Sequence, residues 1–197
     1  MSNAEAELLK LLRERSVKTE GGPFRLASGE MSDYYIDARM TVVSSTGAHL
    51  IGEVLYERTS ALPIDAIGGL EVGAVPLVTA AVIGYHRHGR SMEGFWVRDK
   101  TKGHGTKKLI EGALRPGMQV AIVGDVFTKG SSALKAAQAA REAGCQVVLV
   151  LALVDRLAGA RELFQAEEID NYKAVFTIRD LGVKVRAVPT VADSGPG

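Results

Sequence analysis

Residues 120–132 read VAIVGDVFTKGSS: an apolar run, one carboxylate at Asp125, then Thr128, Lys129, Gly130, Ser131 and Ser132. Small residues let a backbone approach a ligand closely, so this loop can turn several N–H groups and hydroxyls toward one anion. A helix is expected to start near Ser132, adding the positive end of its dipole, and Gly144 stops it about three turns on. The loop therefore suits a monophosphate, with Asp125 placed to touch whatever carries it. The same residues also suit a plain strand–loop–helix corner with a capping serine. A nucleotide P-loop is excluded, because GxxxxGK followed by Ser or Thr does not occur.

Other segments carry reactive groups. WVRDKTKGHGTKKLIEG is polar, basic and glycine-containing, which reads as a mobile loop presenting Arg98, Lys102 and His104; its plain alternative is a solvated surface loop. Arg156 follows the apolar run LVLALVD and offers a two-pronged donor for a planar carboxylate, or else a surface ion pair with Asp155. Tyr34 and Tyr35 suit strand packing or stacking on a base, packing being the commoner use. His86 and His88 end a helix and favour its negative pole. Trp96 and Cys145 are expected in the core.

These groups must be held by a scaffold, and the hydrophobic pattern describes one. Leu8, Leu9, Leu11 and Leu12 recur at helical spacing, predicting an amphipathic helix over 3–15. FRLASGEMSDYYIDAR reads as two short extended pieces around a Ser-Gly turn. A helix is predicted over 46–60. Thereafter IDAIGGL leads into GAVPLVTAAVIGYH, and GMQVAIVGD into SSALKAAQAAREAG, before CQVVLVLALVD. Apolar runs without polar alternation indicate strands buried on both faces, and strand–helix–strand order indicates a parallel sheet. The class is α/β.

At 197 residues and 46% hydrophobic content, one domain is expected, spanning 1–197. The net charge of +1 gives no reason to invoke nucleic acid or an anionic membrane surface. The single cysteine excludes a disulfide framework and a cysteine-built zinc site, and fits a reducing, cytoplasmic setting. No apolar run approaches the ~20 residues that cross a bilayer, and the N-terminal leucines alternate with charges, unlike a signal peptide.

The strand, acid and Thr-x-Gly-Ser loop resemble the phosphoribosyl-diphosphate (PRPP) signature of the type I phosphoribosyltransferases. Three further segments resemble the orotate phosphoribosyltransferase family: FRLASGEMSDYYIDAR its N-terminal motif, RDKTKGHGTKKLIEG its catalytic flexible loop, and LVDRLAGA the strand end whose arginine meets the orotate carboxylate. GGLEVGAVPL looks like its pyrophosphate-side loop. The resemblance implies a parallel sheet flanked by helices, with a small hood from about 1–40 and part of the C-terminal region. It implies a homodimer whose flexible loop reaches the neighbour's site, PRPP and orotate as substrates, and Mg²⁺ held through PRPP and water rather than by protein ligands.

By that resemblance Arg98, Lys102, His104 and Asp125 are catalytic. Gly124, Asp125, Val126, Phe127, Thr128, Lys129, Gly130, Ser131 and Ser132, with Glu71, Val72 and Gly73, hold PRPP. Arg156, Thr128 and Tyr35 hold orotate. The chain departs from the family pattern at Gly124, where the signature has a first acid expected to meet the ribose hydroxyls. It departs again at Asp99, usually lysine, and at Glu30 and Met31, often basic. Two other functions remain open at this point: a PRPP-sensing regulator without catalysis, and a phosphoribosyltransferase for another base.

Overall fold

Residues 1–25, 31–99 and 109–183 are described by the computed structural model. Helix α1 (Asn3–Arg15) starts from a capping box: the Ser2 hydroxyl accepts from the Glu5 N–H, and the Glu5 carboxylate accepts from the Ser2 N–H. It buries Leu8, Leu9 and Leu12, as the leucine spacing predicts. Four short strands follow: β1 (Val17–Lys18), β2 (Phe24–Arg25), β3 (Met31–Ser32) and β4 (Tyr35–Ile36). They pair antiparallel, β1 with β4 and β2 with β3, and stand apart from the main sheet. The expected Ser-Gly turn between β2 and β3 lies outside the described residues.

After α2 (Arg39–Val42), α3 (Ser45–Thr59) begins one residue before its predicted start. The chain then alternates: β5 (Ala66–Leu70), α4 (Ala74–Arg87), β6 (Glu93–Val97), β7 (Ile110–Gly112), β8 (Gln119–Phe127), α5 (Ser131–Glu142), β9 (Gln146–Asp155), α6 (Ala160–Ala166) and β10 (Tyr172–Thr177). The main sheet has the order β10-β9-β8-β5-β6-β7. Its first five strands are parallel, while β7 runs antiparallel to β6 as an edge strand. Helices cover both faces. On β8, Ala121 and Val123 pack into a core shared with α1, α3 and α4, whereas Val120 and Ile122 pack into a second core under α5 and α6. A strand buried on both faces needs apolar side chains at every position, which is why its sequence shows no alternation.

The structure differs from the sequence reading in several places. Strands β6, β7 and β10 and helices α2 and α6 escaped it: β7 and β10 are short or lysine-interrupted edge strands with a weak apolar signal, and the end of β6 and all of β7 fall within the segment read as a mobile loop. Trp96, expected in the core, is only half-buried; its neighbour Phe95 points to the other side of β6 and is fully buried. Cys145 is buried as expected, and burial pushes its thiol pKa up.

Candidate active site

Ligands of an open α/β sheet sit beyond the carboxyl ends of the strands, where the strand order reverses. Here β5 leads to β6 on one side while β8 lies on the other, so the switch point falls between β5 and β8. A cleft of about 730 Å³ opens there. Its walls come from the loop after β5 (Val72, Gly73), the end of β8 and start of α5 (Asp125 to Ala133), Arg156 after β9, and the N-terminal segment from Tyr35 to Arg39.

The phosphate-loop residues meet as expected, with two corrections. Helix α5 starts at Ser131, with Gly130 at its N-cap in a left-handed conformation (φ 81°) and no side-chain capping bond. The capping serine of the plain strand–loop–helix alternative is thus not found at this helix start. The first intrahelical bond runs from the Leu134 N–H to the Gly130 carbonyl at 2.9 Å. The N–H groups of Ser131, Ser132 and Ala133 therefore have no helical acceptor, and these three residues line the cleft with Thr128 and exposed Lys129. The second correction concerns Asp125. Strand β8 continues to Phe127, so Asp125 sits two residues inside the strand rather than closing it.

Glycine allows Asp125 to lie against the opposite loop. A Cβ on Gly73 would come within 2.7 Å of Asp125 Oδ1, so any larger residue there would displace the carboxylate. Asp125 Oδ1 also accepts from the Val126 N–H at 2.8 Å. Gly124, in contrast, does not line the cleft. A Cβ at this position would meet Phe127 Cε1 at 2.4 Å. The Phe127 ring is buried and packs 6.1 Å from Phe164 and 6.2 Å from Tyr172, centroid to centroid. The missing acid of the signature is thus accompanied by a ring filling its space.

Arg156 is half-buried and fixed from the N-terminal segment. Its Nε donates to Tyr34 Oη and its Nη2 to Ser32 Oγ, both at 3.3 Å, and its guanidinium carbon lies 4.8 Å from the Tyr34 ring centroid. Asp155 is not its partner: that carboxylate is buried and accepts from the Leu157 N–H at 2.7 Å. Tyr34 therefore orients the arginine, a task the sequence did not disclose. Tyr35 lines the cleft, its ring 6.1 Å from that of Phe24.

Several expected residues are elsewhere. Arg98 does not line the cleft; its Nη1 forms an ion pair with Glu111 at 3.0 Å. Glu71 is also outside it, accepting from the Asp99 N–H at 3.3 Å. The Asp99 carboxylate is exposed and accepts from Lys135 Nζ at 3.2 Å, so a lysine on α5 faces the negative charge gained in that position. Lys102 and His104 lie outside the described residues. Conversely, Asp37 and Arg39 line the cleft, although sequence reading assigned them no part. The Arg39 guanidinium beside Asp37 holds that carboxyl below the usual range.

No family model matches this chain. Individual relatives do. An orotate phosphoribosyltransferase of Aquifex aeolicus is 42% identical over 176 residues, covering 89% of this chain and 96% of the relative. One from Corynebacterium glutamicum is 41% identical over 182 residues, covering 92% and 96%. Among solved structures, a phosphoribosyltransferase from Corynebacterium diphtheriae superposes with a TM-score of 0.80 at 36% identity, covering 92% of this chain and all of the other. Orotate phosphoribosyltransferase of Mycobacterium tuberculosis, solved in complex with PRPP, superposes with a TM-score of 0.75 at 36% identity, covering 91% and 99%. With more than 40% identity to curated relatives across nearly their whole length, the chain belongs to the orotate phosphoribosyltransferase family.

Proposed function

We propose that the chain transfers the phosphoribosyl group of PRPP to orotate, giving orotidine 5′-monophosphate and pyrophosphate in de novo UMP synthesis. The observation that carries this reading is one cleft in which the unsatisfied amides of α5 and the fixed guanidinium of Arg156 face a common space. The first suits a 5′-phosphate, the second a planar carboxylate. Between them lies Asp125, against Gly73.

In the reaction the C1′–N1 bond forms as the bond from C1′ to pyrophosphate oxygen breaks, with cationic character on the ribose, and the N1 proton of orotate leaves to the departing pyrophosphate or to water. Rate comes from holding the reactants in line and from charge placed where it develops. Asp125 meets the ribose and favours its cationic form; Thr128 to Ser132 anchor the phosphate; Thr128 and Tyr35 border the base. Arg98, Lys102 and His104 remain the proposed counter-charges to the leaving group, Arg98 exchanging Glu111 for substrate. Among the described residues no cluster of three or more His, Cys, Asp or Glu could hold a metal. One carboxylate among hydroxyls suits Mg²⁺ bound mainly by substrate oxygens and water, and Asp125 fits that pattern. When bound, Mg²⁺ supplies positive charge to the diphosphate.

The active form proposed is a homodimer. An apolar groove of about 450 Å³ between α3 and α4 supports it, lined by Val43, Ala48, Pro76 and Ile83, with Val43 and Ile83 largely exposed. The hood comprises about residues 1–40 and part of the C-terminal region, which Arg13 joins by donating to the Asp180 carbonyl. Among the described residues no helix is long and apolar enough to cross a membrane; a cytoplasmic location is proposed from the single buried cysteine and the substrates.

Two tests follow from the cleft. Crystals grown with sulfate or phosphate are expected to show an anion within hydrogen-bonding distance of the amides of residues 128–132; an empty loop with the anion elsewhere would contradict the cradle. Mixing Lys102→Ala with Asp125→Asn protein is expected to restore part of the activity, because a heterodimer has one site free of both lesions if loops cross the interface. Verified subunit exchange without recovery would place each loop over its own site.

A further inference from the structure

Arg39 has the marks of a built binding group rather than a solvated surface side chain. Its backbone corner is fixed: the Asp37 N–H donates to the Ser16 carbonyl at 2.8 Å, and buried Thr41 shares a 2.7 Å hydrogen bond with Ser16. Its guanidinium is oriented by Asp37, Nε to Oδ1 at 2.7 Å and Nη2 to Oδ2 at 3.0 Å. Among the described residues Nη1 has no hydrogen-bond partner; the side chain is 65% exposed, and the residue lines the cleft. Holding an arginine in one geometry costs side-chain entropy, which a surface pair seldom recovers. A ligand that needs a directed donor gives that rigidity a use.

The charges along the walls indicate which ligand. Among the described residues three cations line the cleft: Lys129 within the phosphate loop, Arg156 after β9, and Arg39. The loop after β5, which faces Asp125, contributes Val72 and Gly73 and no cation. Asp125 is close enough to reinforce the charged form of Arg39, after the larger effect of Asp37. Arg39 thus enters the cleft from the Asp37 corner, on a different element from the phosphate loop and from Arg156, in a cleft whose other walls include Asp125 and the Gly73 loop.

We infer that Arg39, oriented by Asp37, donates to the diphosphate of PRPP and supplies cationic charge that the loop after β5 lacks. The inference rests on the transferase reading, since only that substrate places a diphosphate there. Arg39 is a binding residue, and Asp37 a positioning residue acting through it.

The test compares binding of pyrophosphate and of ribose 5-phosphate, each with Mg²⁺, by calorimetry. A charge-assisted hydrogen bond on a largely exposed side chain falls at the low end of its range, so Arg39→Ala should weaken pyrophosphate and PRPP about 10-fold. Ribose 5-phosphate, which has no diphosphate, should bind as before, and the melting temperature should hold. Arg39→Lys should recover part of the loss, because charge survives without the fork. Asp37→Asn should lose about 2- to 3-fold, since the cation stays but is no longer aimed. Unchanged pyrophosphate affinity in Arg39→Ala overturns the inference, as does an equal loss for ribose 5-phosphate. Wild-type protein that binds neither ligand would instead overturn the transferase reading beneath it.

Discussion

Arg156→Ala should bind PRPP normally and lose about 10- to 150-fold in kcat/KM for orotate. That range is the worth of a hydrogen-bonded charge pair, roughly 1.5–3 kcal/mol, expressed as transition-state binding. Arg156 merits the upper part of the range for a physical reason. It is half-buried, stacked on Tyr34, and tied to Tyr34 and Ser32. A guanidinium held this way needs little further ordering when a carboxylate arrives, and partial burial reduces the screening of the contact. Arg156→Lys should recover only part, since an ammonium cannot form two parallel bonds. Tyr34→Phe removes one oriented acceptor and keeps the ring, so it should raise the KM for orotate modestly. Steady-state kinetics with each substrate varied in turn checks all three variants. Equal losses for PRPP and orotate in Arg156→Ala would contradict the assignment.

Gly124→Asp restores the paired acids of the signature on paper, and from sequence alone it should tighten PRPP by giving ribose hydroxyls an acceptor. The structure reverses that expectation. A Cβ at Gly124 would sit 2.4 Å from the Phe127 ring, which is itself held by Phe164 and Tyr172. Overpacking of this kind costs about 1–3 kcal/mol. For a chain of this length that lowers the melting temperature by roughly 2–12 °C. PRPP affinity should not improve, because the displaced ring sits next to the loop that holds the phosphate. Gly124→Asp combined with Phe127→Leu should relieve the clash and bind PRPP about 10-fold more tightly than Phe127→Leu alone. Calorimetry and thermal melting on the three variants distinguish the outcomes. A single Gly124→Asp protein that melts like wild type would show that the ring has free space to move into.

How much was legible before the fold was seen depended on whether the signal was local. The buried strands β5, β8 and β9 announce themselves as unbroken apolar runs, and the small residues from Thr128 to Ser132 announce a close approach to an anion. Arg156 could be placed at a strand end because LVLALVD is so continuous. The partners of Arg156 could not be found this way. Ser32 and Tyr34 lie more than 120 residues earlier, and only the docking of the N-terminal segment over β9 brings them near. The Asp37–Arg39 pair was overlooked for a different reason: two opposite charges two residues apart look like an ordinary solvated turn until a cleft is known to lie beside them. Gly124 illustrates a third limit. A missing side chain says that something is lost, but only the packing of Phe127 says that its place is taken.

The central claim is that the cleft joins orotate to PRPP. The direct measurement follows orotate absorbance with purified wild-type protein in the presence and absence of PRPP and Mg²⁺, and identifies the product by chromatography. Orotate should be consumed only when both are present, with orotidine 5′-monophosphate and pyrophosphate formed in equal amounts and no turnover of uracil, hypoxanthine or guanine. Binding of PRPP without turnover of any base would mark the chain as a sensor. Turnover of a purine, with Arg156→Ala indifferent, would contradict the account outright.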